Sequence, residues 1–96
     1  MFMHIVMWDF ESEDKTQKMN EIKTQLEALP DMIPEIQRYE VGLDLVHAEH
    51  SCDMVLVSGF TDSTAFKQYA AHPEHQKVVQ AISQVTIARK VVDYVI

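Results

Sequence analysis

Two stretches of this chain, Phe2 to Phe10 and Asp53 to Phe60, are apolar on both alternating phases. A strand of that kind is buried on both faces of its sheet. The intervening sequence supplies two helical segments, enough to cover one face only. Met3, Ile5, Met7, Val55 and Val57 on the other face would then meet water, a patch too large for a monomer in solution. The expected partner is a second copy packing sheet on sheet about a two-fold axis, a homodimer through the open sheet face.

The rest of the chain supports one domain, residues 1–96, with no linker or repeat. Ser12 is read as the cap of a first helix, with Glu13 and Asp14 in its first turn. Met19, Ile22, Leu26 and Leu29 recur at three- and four-residue steps, and Pro30 ends the helix. Arg38 to Val46 alternates, with Tyr39, Val41, Leu43 and Leu45 on one side, as an edge strand does. Asp62 or Ser63 caps a second helix bearing Ala65, Phe66, Tyr69 and Ala70. His72-Pro73 interrupts it, because the residue before proline avoids the α region while proline suits a first helical turn. His75, Val78, Val79 and Ile82 form the next stripe, and Ala88 to Ile96 is a last strand. The order β-α-β-β-α-β specifies an α+β, ferredoxin-like protomer: a four-stranded antiparallel sheet with helices on one face.

Charge and composition exclude several functions. The net charge is −7, with eleven acids against four bases in residues 1–50 and four against four in residues 51–96. Such a balance disfavours nucleic acid, whose phosphates demand clustered Lys and Arg. No apolar run approaches the ~20 residues that span a bilayer, and Met1-Phe2-Met3-His4 is not read as a leader, so no membrane is expected as a partner. The lone Cys52 forms no intrachain disulfide, and the expected location is cytoplasmic.

Candidate chemistry gathers at three residues. His4 shares a phase with Val6, Trp8 and Phe10, and this bulkier set is assigned to the helix side. Tyr69 and His75 flank the helix break and can point toward the same face. The cluster would sit in an apolar pocket walled by Val6, Trp8, Leu26, Met54, Leu56 and Val78, suited to a small apolar or aromatic ligand. A histidine there can act as general base. The alternative is a purely structural dimer with a filled pocket, in which the same side chains satisfy one another. His72 and His75, and the loop His47-Ala48-Glu49-His50-Ser51-Cys52-Asp53, have metal-ligating residue types but no defined geometry, so no metal site is assigned. Gly42 and Gly59 stand alone in strands and read as bulges or close packing points, and no phosphate loop exists. Arg89 is read either as pairing with Asp93 at the last strand or as holding an anion, with surface pairing the favoured account.

Several segments together identify a resemblance. His4-Ile5-Val6-Met7-Trp8, Tyr39-Glu40-Val41-Gly42-Leu43-Asp44 and Asp53-Met54-Val55-Leu56-Val57 are joined by the run Tyr69-Ala70-Ala71-His72-Pro73-Glu74-His75-Gln76-Lys77-Val78-Val79 and by Arg89-Lys90-Val91-Val92-Asp93-Tyr94. The chain resembles the stress-responsive α/β-barrel (Dabb) family over its whole length. The resemblance implies protomers that pair into a dimeric α/β barrel. It also implies, more distantly, the site of the family's plant olivetolic acid cyclase, with His4, Tyr69 and His75 on its histidine, tyrosine and second helical histidine. Leu26 and Met54 replace a tyrosine and a histidine of that enzyme, leaving a drier pocket. The activity consistent with this is a cofactor-free one of cyclase (lyase), isomerase or monooxygenase type, with His75 as base and Tyr69 and His4 orienting an oxygen.

Overall fold

The computed structural model describes all of residues 1–96. The elements run β1 (Phe2–Phe10), α1 (Lys15–Glu27), β2 (Ile36–Leu43), β3 (Met54–Phe60), α2 (Ser63–Ala71), α3 (Pro73–Val85) and β4 (Thr86–Val95), with a 3-10 turn at Leu29–Asp31. The sheet order is β2-β3-β1-β4, and every neighbouring pair is antiparallel. This is the ferredoxin-like arrangement, with the doubly apolar strands β1 and β3 in the centre.

Register fixes the two faces. His4, Val6 and Trp8 lie opposite Ser58, Leu56 and Met54 on β3, and opposite Asp93, Val91 and Arg89 on β4. This is the helix side. Its core holds Val6, Trp8, Phe10, Met54, Leu56 and Phe60 from the sheet, Ile22 and Leu26 from α1, Tyr69 from α2, and Val78 and Ile82 from α3. Burial of each large apolar side chain contributes about 1.5–3 kcal/mol.

The opposite face is only partly open. Met7, Val92 and Tyr94 are exposed there, while Ile5, Val55 and Val57 are half-buried. Met3, expected at the surface, is instead 1% exposed. The reason is Gly59: a Cβ there would lie 2.5 Å from the Met1 sulfur and 3.2 Å from the Met3 sulfur, so the missing side chain lets two methionines lie over the strand.

Local boundaries differ from the sequence reading for identifiable reasons. Ser12 does not cap α1; Asp14 occupies that position in the left-handed region (φ 51°), and its side chain makes no cap bond. Glu11 to Asp14 form a turn closed by the Lys18 ammonium on the Glu11 carboxylate at 2.8 Å, which places Glu13 and Asp14 before the helix. β2 ends at Leu43 because Asp44 turns the chain, its carboxylate accepting the His47 amide at 2.7 Å, and Leu45 and Val46 lie exposed beyond it. No helix is long and apolar enough to cross a membrane.

Candidate functional site

The break between α2 and α3 creates the site. His72 is extended (φ −64°, ψ 133°), as the residue before Pro73 must be, and serves as C-cap of one helix and N-cap of the next. Its Nδ1 accepts the Glu74 amide at 3.1 Å. Pro73 then starts α3 in a new direction, and His75 comes to rest against Tyr69, with ring centroids 4.2 Å apart. The His75 Nδ1 donates to the Ala70 carbonyl, 3.1 Å away. A carbonyl only accepts, so this bond puts the proton of the neutral ring on Nδ1 and leaves Nε2 with its lone pair. Burial lowers the His75 pKa from its ordinary value; the Ala70 bond opposes that shift, and the nearby Arg89 guanidinium reinforces it.

Between α3 and the β1–β4 side of the sheet lies a cavity of about 520 Å³. Of the residues expected to wall it, Val6, Trp8, Leu26, Leu56 and Val78 do so, and His4, Tyr69 and His75 border it with them. Met54 does not. It pairs with Trp8 and Leu43 in the ladders and is 2% exposed within the core, on the β2 side of the sheet away from β4. Phe66 and the stretch Thr86 to Arg89 complete the wall. That stretch was invisible as lining because its register against β1 is set by a partner more than 75 residues away, Trp8 opposite Arg89.

His4, Tyr69 and His75 are the polar groups of β1, α2 and α3 that border the cavity. The His4 imidazole packs on Phe66, with centroids 4.7 Å apart, and its Nδ1 lies 2.5 Å from the Asp93 carboxylate. The expected Arg89–Asp93 pair is therefore absent, because Asp93 is the cross-strand partner of His4 and is taken by it. The Tyr69 hydroxyl meets that of Tyr39 at 2.7 Å. Burial pushes the Tyr69 pKa up to about 12, and it raises that of Tyr39 further, with the neighbouring Tyr69 adding to the effect. Sequence reasoning placed Tyr39 on the apolar side of its strand but could not see this hydroxyl pair. No buried side-chain polar atom is left without a partner.

The other candidates have structural duties. Asp53 accepts the Phe10 amide at 2.8 Å and pairs with Lys15 at 3.2 Å. His47 lies near Asp44, and no group of three His, Cys, Asp or Glu side chains is disposed to hold a metal ion.

The comparisons agree with this architecture. The family model "Stress responsive A/B Barrel Domain" matches residues 2–96. A crystallised dimeric protein of unknown function and ferredoxin-like fold from Bacteroides fragilis is 33% identical, covers 97% of this chain and 93% of its own, and superposes with a TM-score of 0.88. A dimeric ferredoxin-like protein of unknown function from Thermobifida fusca is 25% identical over 99% of this chain and 90% of its own, with a TM-score of 0.89. Hydroxynitrile lyase from Passiflora edulis shares the fold at 18% identity, over 99% of this chain and 92% of its own, with a TM-score of 0.88. Among curated proteins, none matches the chain in sequence.

Proposed function

Because the chain belongs to the stress-responsive A/B barrel domain family, we propose that it works as a cytoplasmic homodimer in which each protomer binds a small apolar or aromatic molecule in the cavity beneath α3. The observation that carries this reading is the cavity itself: about 520 Å³, walled mainly by apolar side chains, with a few polar groups, His4, Tyr69, His75 and Arg89, among them. Those proportions are typical of small-molecule sites, and an unfilled volume of this size speaks against a purely structural protomer. Homodimerisation through the open sheet face is supported by the dimeric neighbours and by the exposed Met7, Val92 and Tyr94.

The test is thermal melting with a panel of apolar aromatic compounds, on the wild-type chain and on a cavity-filling Val78→Trp variant. Binding raises the melting temperature of the wild type by mass action and leaves the variant unmoved. No shift across the panel, or equal shifts in both chains, would contradict the reading.

One observation favours an enzymatic version. His75 holds a neutral, oriented ring with a free Nε2 lone pair, which is what a general base for cofactor-free lyase, isomerase or monooxygenase chemistry requires. His4 would then orient the substrate oxygen, while Tyr69, engaged with Tyr39, would hold the His75 ring. Turnover that survives His75→Ala would exclude it.

A further inference from the structure

The cavity wall departs from the chain's overall charge. The chain carries a net −7, yet the cavity wall contains His4, His75 and Arg89 and not one Asp or Glu. Arg89 sits opposite Trp8 on the helix side of β4 and has neither an ion pair nor a side-chain hydrogen bond. The nearest acid on the same face of its strand, Asp93, lies four residues along, roughly 13 Å of extended chain, and is held by His4. The three hydroxyls of the wall are also committed: Ser83 donates to the Gln80 carbonyl at 2.7 Å, Thr86 to the Ile82 carbonyl at 2.9 Å, and Tyr69 is paired with Tyr39 at 2.7 Å. Arg89 is thus a permanent cation with five free donors at the edge of an apolar chamber.

We propose that the ligand is an amphiphilic carboxylic acid, its apolar body against Val6, Leu56 and Val78 and its carboxylate on the Arg89 guanidinium. The inference rests on the cavity being a binding site and adds the chemical class of what it holds. A planar guanidinium matches a carboxylate with two parallel hydrogen bonds, so the contact supplies direction as well as charge. A single fixed cation suits a monoanion; a phosphate monoester would bring a second charge that the wall does not meet.

The experiment uses the fluorescence of Trp8, the one tryptophan of the chain and part of the cavity wall. Full-length protein is titrated at pH 7.5 with two matched pairs: 4-phenylbutyrate against 4-phenylbutanamide, and decanoate against decanamide. The proposal expects each acid to bind at least about tenfold tighter than its amide, as a charge-assisted pair provides. Arg89→Gln removes that preference by weakening the acids far more than the amides, Arg89→Lys keeps part of it, and added salt weakens chiefly the acids. Equal affinities for acid and amide in the wild type, or a preference that persists in Arg89→Gln, overturn the carboxylate assignment and leave the binding site standing. If no member of either pair perturbs Trp8, the binding site fails and the assignment with it.

Discussion

His4 and Asp93 are direct cross-strand partners on β1 and β4, and their side chains meet at 2.5 Å. The contact joins an imidazole that is 9% exposed to a carboxylate that is 41% exposed. It ties the central strand to an edge strand whose residues from Ile87 onward are all exposed. Asp93→Asn keeps the shape and removes the charge. It should destabilise the fold by about 1 kcal/mol, below the roughly 1.5–3 kcal/mol of a hydrogen bond to a charged group because Asp93 is partly solvated. Urea denaturation at low and high salt checks this, and the deficit should shrink as salt rises.

The Tyr39–Tyr69 pair makes the protein sensitive to alkali. An unfolded tyrosine ionises near 10, whereas burial holds Tyr69 up at about 12 and Tyr39 also above its ordinary value. Between these values the unfolded chain has lost protons that the folded chain retains, so stability falls as pH rises above about 10. Phenolate absorbance from this pair should therefore appear together with loss of circular dichroism. Tyr39→Phe, which removes one hydrogen bond, should cost about 1 kcal/mol at pH 7.

His75 acts at the other end of the pH scale. Its folded pKa lies below the unfolded value near 6.5. As pH falls below that value the unfolded chain takes up a proton that the folded chain refuses, and stability is lost. The urea midpoint should drop between pH 7.5 and 5, and His75→Asn should flatten the part of that slope which His75 contributes. An unchanged slope in the variant would show that the ring is not desolvated.

The open sheet face makes a separate prediction. Ile5 lies half-buried at its centre, between Val57 and Val92. Ile5→Glu puts a charge where a second sheet would pack. Sedimentation equilibrium should give twice the 11.1 kDa chain mass for the wild type and the single mass for the variant, with circular dichroism retained.

How far the sequence determines the site depends on the range of the interaction. The β1 phase placed His4 with Val6 and Trp8 on the helix side, and His72-Pro73 placed His75 beside Tyr69; both follow from short-range sterics and alternation. The α1 start was misplaced because Ser12 and Asp14 are both acceptable caps, and the choice fell to the Glu11–Lys18 ion pair. The partner of His4 was not legible at all. It depends on the β1–β4 register, set across most of the chain, and without it pairing of Arg89 with Asp93 is favoured over the anion-holding alternative. Tyr39 illustrates the same limit: alternation gives its direction but not its depth, and depth brings its hydroxyl to Tyr69.

On the proposed function, the chamber beneath α3 binds a small apolar molecule. The most direct test is a titration of the isotope-labelled protein with 4-phenylbutyrate, followed by backbone amide chemical shifts. Binding in the chamber should give saturable shifts concentrated at Val6, Trp8, His75, Val78 and Thr86 to Arg89. Shifts confined to the open sheet face, or none at saturating ligand, would contradict it.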